Sequence, residues 1–168
     1  MSIPHAPRSV LDAGGLERFA VELAASRERW LEPESSAAGE RSYELIWDDT
    51  HVNAWAIRWS ADADTGFHDH DGSAAGIVVI QGVVVEERLS LHGPPIARRF
   101  GAGESFRMPA SRIHRVRHGG GAPALTVHAY SPPLSIQGVY RVGDQGALER
   151  ETVPYTEELR GELAAAPA

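Results

Sequence analysis

The chain changes its hydrophobic period once. Between Asp12 and Leu31, apolar residues recur at helical spacing, with Leu16, Phe19, Ala20, Leu23 and Ala24 on one stripe and charged residues opposite. Asp12 stands where a side-chain oxygen can cap the first turn, so the pattern predicts a packing helix over about 12–31. The stretch EPESSAAGE breaks the stripe as a loop. From about Tyr43 the period becomes two. YELIW, VNAWAIRW, GIVVIQGVVVEERLS, ARRF, ESFRMP, HRVRH, ALTVHAYSP and IQGVYRV follow one another as short runs divided by Gly, Pro, Asp or Ser. Many short strands between tight turns predict a mainly β sandwich or barrel over about 43–145, with the helix packed outside it. The tail TEELRGELAAAPA predicts a short terminal helix that frays. No repeat and no second hydrophobic pattern is present, so residues 1–168 read as one domain.

Composition narrows the chemistry. A chain of 168 residues can bury a real core without covalent staples, and 17 glycines and 11 prolines suit a fold of tight turns. The absence of cysteine excludes disulfides, zinc–thiolate sites and thiol nucleophiles, which leaves histidine to hold any soft metal. A formal charge of −7 argues against a nucleic-acid partner, which demands a basic face. No apolar run is long enough to span a membrane, and MSIPHAPRSV lacks the apolar centre of a secretory signal. The expectations are a cytoplasmic protein, monomer or dimer, with no membrane partner.

The histidines carry the strongest signal. His68 and His70 flank Asp69 just before the apolar run IVVIQGVVV, and residues two apart on a strand point to the same face. Both imidazoles can therefore reach one metal ion, while Asp69 and Asp71 alternate to the opposite face, toward solvent or a supporting hydrogen bond. His114 lies 44 residues beyond His70, and two near ligands with one distant one describe a metal held between strands. A second signal is LTVHAYSPPL, which places Thr126, His128 and Tyr130 at i, i+2 and i+4 on one strand face. If that face looks inward, a hydroxyl, an imidazole and a phenol line up as a hydrogen-bond chain; otherwise His128 and Tyr130 are ordinary core residues.

Gly82, then Gly103, Pro109 and His114 in the order G-x5-P-x4-H, match the two-part cupin signature, with Ser111 where a glycine is usual. That signature normally carries a glutamate ligand about five residues beyond the second histidine. DGSAAG has none there, so the resemblance implies three neutral imidazoles that leave the full charge on the metal, a setting that welcomes a thiolate together with O2. More narrowly, FHDHDGSAAGIVVIQG, IHRV and VHAYSPP together resemble the cysteine dioxygenase family of thiol dioxygenases, over about Tyr43 to Tyr140. The resemblance implies a double-stranded β-helix (jelly-roll) cupin barrel. It also implies Fe2+ on His68, His70 and His114, in a site type that also accepts Ni, Mn or Zn, with a small thiol and O2 as substrates. Thr126, His128 and Tyr130 match the family's Ser-His-Tyr relay with Thr for Ser. Ser131, Pro132 and Pro133 match its Ser-Pro-Pro element, whose peptide geometry helps aim the tyrosine.

Three departures qualify this. Ala75 occupies the position where some animal members carry a cysteine crosslinked to the relay tyrosine. The family arginine two residues after a tyrosine, which pairs with the substrate carboxylate, is Leu45 in Tyr43-Glu44-Leu45. The arginine that related 3-mercaptopropionate dioxygenases place near Gln137 is missing too, leaving Arg58 and Arg141 either as replacements or, the reading their positions favour, as surface charges. The sequence therefore reads as a thiol dioxygenase acting on cysteine, 3-mercaptopropionate or a related thiol. The alternatives are a metal-dependent cupin oxygenase or isomerase of a non-thiol substrate, and a metal-binding cupin without catalysis.

Overall fold

A computed structural model describes residues 4–26, 38–90, 92–143 and 147–155. Among the described residues one helix, α1 (Ala13–Ser26), precedes eleven strands: β1 (Arg41–Asp48), β2 (Asn53–Trp59), β3 (His68–Asp69), β4 (Ala74–Gln81), β5 (Val83–Arg88), β6 (Ile96–Gly101), β7 (Ser105–Met108), β8 (His114–His118), β9 (Ala124–Ser131), β10 (Ile136–Val142) and β11 (Leu148–Pro154). Asp12 caps α1, its Oδ1 accepting from the Gly15 N–H at 2.7 Å, as the sequence predicts. The later part of the expected helix, most of the EPESSAAGE loop and the tail TEELRGELAAAPA lie outside the described residues.

The strands form two antiparallel sheets that face each other. One runs β1-β2-β9-β4-β7, the other β11-β10-β3-β8-β5-β6. Each predicted run becomes a strand, and the long run GIVVIQGVVVEERLS is divided at Gly82, whose φ of 73° only glycine adopts freely. The sheet also extends past the expected boundary through β11. Its sequence, LERETVP, is mostly exposed and lacks alternating apolar residues, so only pairing with β10 makes it a strand.

Two cores lie on either side of the first sheet. Between the sheets, Ile57, Trp59, Ala75, Ile77, Val79, Val84, Phe100, Phe106, Met108 and Val116 interdigitate. On the outer face, Leu16, Phe19, Ala20 and Leu23 of α1 cover Val78, Val127 and Ala129. Full burial of each large apolar side chain is worth about 1.5–3 kcal/mol, which fixes the helix to the outside of the barrel. The approach is close: a Cβ at Gly76 would sit 2.2 Å from backbone atoms of Leu16 and Glu17. Strand β9 is buried along its whole length because it has the helix on one face and the barrel interior on the other. Its apolar residues Val127 and Ala129 serve the helix, and this turns Thr126, His128 and Tyr130 inward.

Candidate metal centre

The short strand β3 places the first candidate ligand directly opposite another. His68 pairs across the ladder with His114, the first residue of β8, and the two rings lie 4.4 Å apart between centroids. His70 follows two residues later on the same side, 5.1 Å from His114. All three are buried, and one ring nitrogen from each lies within 4.8 Å of the others. The His68 Nδ1–H donates to the Gly66 carbonyl at 3.1 Å, which leaves Nε2 as the lone-pair nitrogen. Nε2 of His70 and Nε2 of His114 stand 3.4 Å apart. Metal–nitrogen bonds of about 2.0–2.1 Å let one ion fit between them.

Charge supports the same use. Burial, reinforced by the neighbouring His68, pushes the protonation of His70 and His114 well below the ordinary histidine range. Neutral imidazoles are the form that binds a metal. Among the described residues no carboxylate joins the cluster. Glu86, the nearest acidic residue along the chain after Asp71, is fully buried, but both its oxygens accept from the Arg88 Nε–H at 2.6 and 2.8 Å. The donor set fits a divalent ion.

Thr126, His128 and Tyr130 do face the barrel interior, and they are linked. His128 Nε2 lies 2.9 Å from Thr126 Oγ1, and Nδ1 lies 3.2 Å from the Tyr130 hydroxyl. Burial, then the nearby His68 and Arg41, pushes His128 down to about 3, so it is neutral. The Tyr130 ring meets the His70 ring edge to face, 5.0 Å between centroids. Across the ladder Tyr130 is paired with Ala75, the position flagged for a crosslink, and the Ser131–Pro132 peptide is cis. Ser131 itself fastens the loop, its hydroxyl donating to the His51 carbonyl at 2.7 Å and accepting from the Leu11 N–H at 2.9 Å.

The acidic residues of the HDHD stretch divide. Asp71 is exposed, but Asp69 is buried on the outer face of the second sheet. It accepts from Arg150 Nε and Nη2 at 2.8 and 2.9 Å, from the Tyr140 hydroxyl and from the Asp71 N–H. Burial alone would raise its carboxyl; the Arg150 and Tyr140 hydrogen bonds outweigh that and hold it below the usual carboxylate range. Arg150 comes from β11, so the strand that sequence reasoning missed clamps the segment carrying two of the three histidines.

A cavity opens beside the histidines, lined by Arg41, Tyr43, Ile57, Trp59, Thr65, His68, His114, Val116, His128, Tyr130, Gln137 and Tyr155. Neither arginine suggested by the sequence is among these lining residues. Arg58 alternates to the other face of β2 and pairs with Glu44 at 3.7 Å, and Arg141 lies at the surface, 3.9 Å from Glu151. The cation in the cavity is instead Arg41, two residues before Tyr43 and on the same strand face, stacked over the Tyr43 and Trp59 rings at 5.6 and 5.8 Å. The i, i+2 relation to Tyr43 was the one signal for it in the sequence. Gln137 also lines the cavity, and its buried Oε1 has no hydrogen-bond partner.

No protein-family model matches the chain, and no curated protein matches it in sequence. Its shape, however, has many counterparts among solved structures. A double-stranded β-helix protein from Klebsiella pneumoniae subsp. pneumoniae superposes with a TM-score of 0.51 at 14% identity, over 69% of this chain and 88% of that one. An oxalate oxidase gives 0.51 at 21% identity, over 62% of this chain and 57% of that one. A protein from Thermus thermophilus gives 0.50 at 18% identity, over 56% of this chain and 85% of that one. The fold is a double-stranded β-helix, mainly β with one helix among the described residues. Among the described residues no helix is long and apolar enough to cross a membrane.

Proposed function

We propose that this chain is a thiol dioxygenase of the cysteine dioxygenase kind, holding Fe(II) on His68, His70 and His114 and acting on a small thiol that carries a carboxylate. The observation that carries the reading is the meeting of two assemblies in one cavity: the Thr126–His128–Tyr130 line ends with the phenol ring against His70. A module that merely stores a metal has no use for an oriented phenol beside it. Bound there, iron supplies a redox-active Lewis acid at which a thiolate and O2 react. The net conversion is R–S⁻ + O2 → R–SO2⁻. The O–O bond breaks, two S–O bonds form, sulfur gives four electrons and oxygen takes them, so no external reductant is needed.

The chain's own residues prepare that conversion. Three neutral imidazoles add no negative charge, so a thiolate is drawn to the site. Ile57, Trp59 and Val116 form an apolar wall that thins water around the reacting atoms. Neutral His128 fixes the Tyr130 hydroxyl, which holds a proton beside the substrate. Arg41 reads the carboxylate from the same cavity through paired charge-assisted hydrogen bonds. It takes the part that the resemblance assigned to the position of Leu45. Ala75 leaves Tyr130 without a crosslink, its methyl group opposite the ring.

The test is oxygen uptake by iron-loaded protein over a panel of L-cysteine, 3-mercaptopropionate, cysteamine and 2-mercaptoethanol, with product mass. A carboxylate-bearing thiol should consume one O2 per sulfinate formed; no uptake with any thiol overturns the reading. Arg41→Met should raise KM for carboxylate thiols roughly tenfold and leave 2-mercaptoethanol unchanged. Tyr130→Phe should lower kcat about a hundredfold at unaltered iron content. The oxalate oxidase neighbour favours a second reading, a metal-dependent cupin enzyme acting on a non-thiol substrate, which bound Mn, Ni or Zn with no thiol response would support.

A further inference from the structure

The relay has a fourth member that the sequence pattern did not contain. The indole Nε1–H of Trp59, on β2 beside β9, donates to Thr126 Oγ1 at 2.9 Å. We propose that Trp59 is a positioning residue that sets the direction of the whole chain of hydrogen bonds, so that Tyr130 acts as a donor toward the cavity.

An indole N–H can only donate. Thr126 Oγ1 therefore accepts from Trp59, and its own hydrogen has two destinations: His128 Nε2 at 2.9 Å, or the Ile57 carbonyl at 3.5 Å. The second distance lies at the edge of hydrogen bonding, and the first is well within it. The hydroxyl hydrogen goes to Nε2, which must then be the lone-pair nitrogen of a neutral imidazole. The proton of His128 accordingly sits on Nδ1 and is donated to the Tyr130 oxygen at 3.2 Å. With that oxygen accepting from His128, the phenol's own hydrogen is directed away from His128, and Tyr130 is one of the residues that line the cavity. Were the chain reversed, Tyr130 would spend its hydrogen on His128 and present only lone pairs to a ligand. Donation suits an oxygen-rich partner such as O2 or its reduction products. The inference thus deepens the dioxygenase reading and rests on it for the identity of the partner. The direction of the chain stands on the geometry alone.

The tautomer can be read by long-range ¹H–¹⁵N correlation on the metal-free full-length protein, with His128 assigned through a His128→Gln variant. The wild type should show the Nδ1–H form of His128 as the dominant species. Thr126→Ser, which keeps the hydroxyl, should preserve it. Trp59→Phe should release the bias, raising the Nε2–H form from undetectable to a comparable share while far-UV circular dichroism is unchanged. A dominant Nε2–H form in the wild type overturns the proposal, and that result needs no variant to fold. An unaltered tautomer in a folded Trp59→Phe protein overturns it as well. A dominant Nδ1–H form alongside absent thiol oxidation would sink the dioxygenase reading and leave the direction of the relay intact.

Discussion

The two faces of the His68–Asp71 segment are built on opposite rules. On the inner face His68 and His70 meet His114 in an apolar setting, and Nδ1 of both His70 and His114 lacks a hydrogen-bond partner. On the outer face Asp69 accepts from an arginine, a tyrosine and a backbone amide, and Arg150 reaches Asp71 as well. One side is neutral and under-satisfied, the other charged and saturated. Alternation along a strand lets adjacent residues take these separate jobs: the outside fixes the backbone, and the inside is left with bonding capacity for a ligand.

Breaking the inner face should have the largest effect. His114→Ala removes the one candidate ligand that comes from β8, and metal should fall from one equivalent to a trace by elemental analysis, with the fold retained by circular dichroism. Cutting the outer face should do less. Arg150→Met leaves all three histidines in place but frees their segment, so metal affinity should drop roughly tenfold in a chelator competition, the low end for residues that orient ligands. Equal affinity would make the clamp irrelevant to the site.

The smallest effect separates the faces by pH. His128 is held near 3 in the folded protein, against about 6.5 unfolded, so the unfolded chain binds the extra proton between those values. Stability of the metal-free protein should therefore fall as pH drops below about 6.5, and the fall should shrink in His128→Gln. Asp69 has the opposite origin, a depressed carboxyl. Its contribution is present above the ordinary carboxylate range and is lost only in stronger acid, where Asp69→Asn should remove it. Urea midpoints across pH distinguish the two windows.

Much of this was legible in the sequence. The change of period located helix and barrel, and the i, i+2 rule put His68 with His70 and aligned Thr126, His128 and Tyr130. What escaped depended on contacts between distant residues. Arg150 meets Asp69 across 81 positions from a strand with no apolar alternation. An aspartate opposite two histidines reads equally as solvent-facing or as held by a supporting hydrogen bond, and only the distant partner decides between the two. Trp59 has no sequence signal of its own, because nothing local reveals where an indole N–H ends. Arg41 precedes Tyr43 where the family arginine follows it, and a strand presents residues two before and two after to the same face.

Gly76 carries a consequence for descent. Its missing side chain is the space into which the α1 backbone settles, and the neighbouring Ala75 sits opposite Tyr130. Helix and glycine thus depend on one another. Relatives that lose the helix should let position 76 drift to larger residues, and those that keep a glycine there should still carry the helix, so the pair offers a marker for tracing this branch of the barrel.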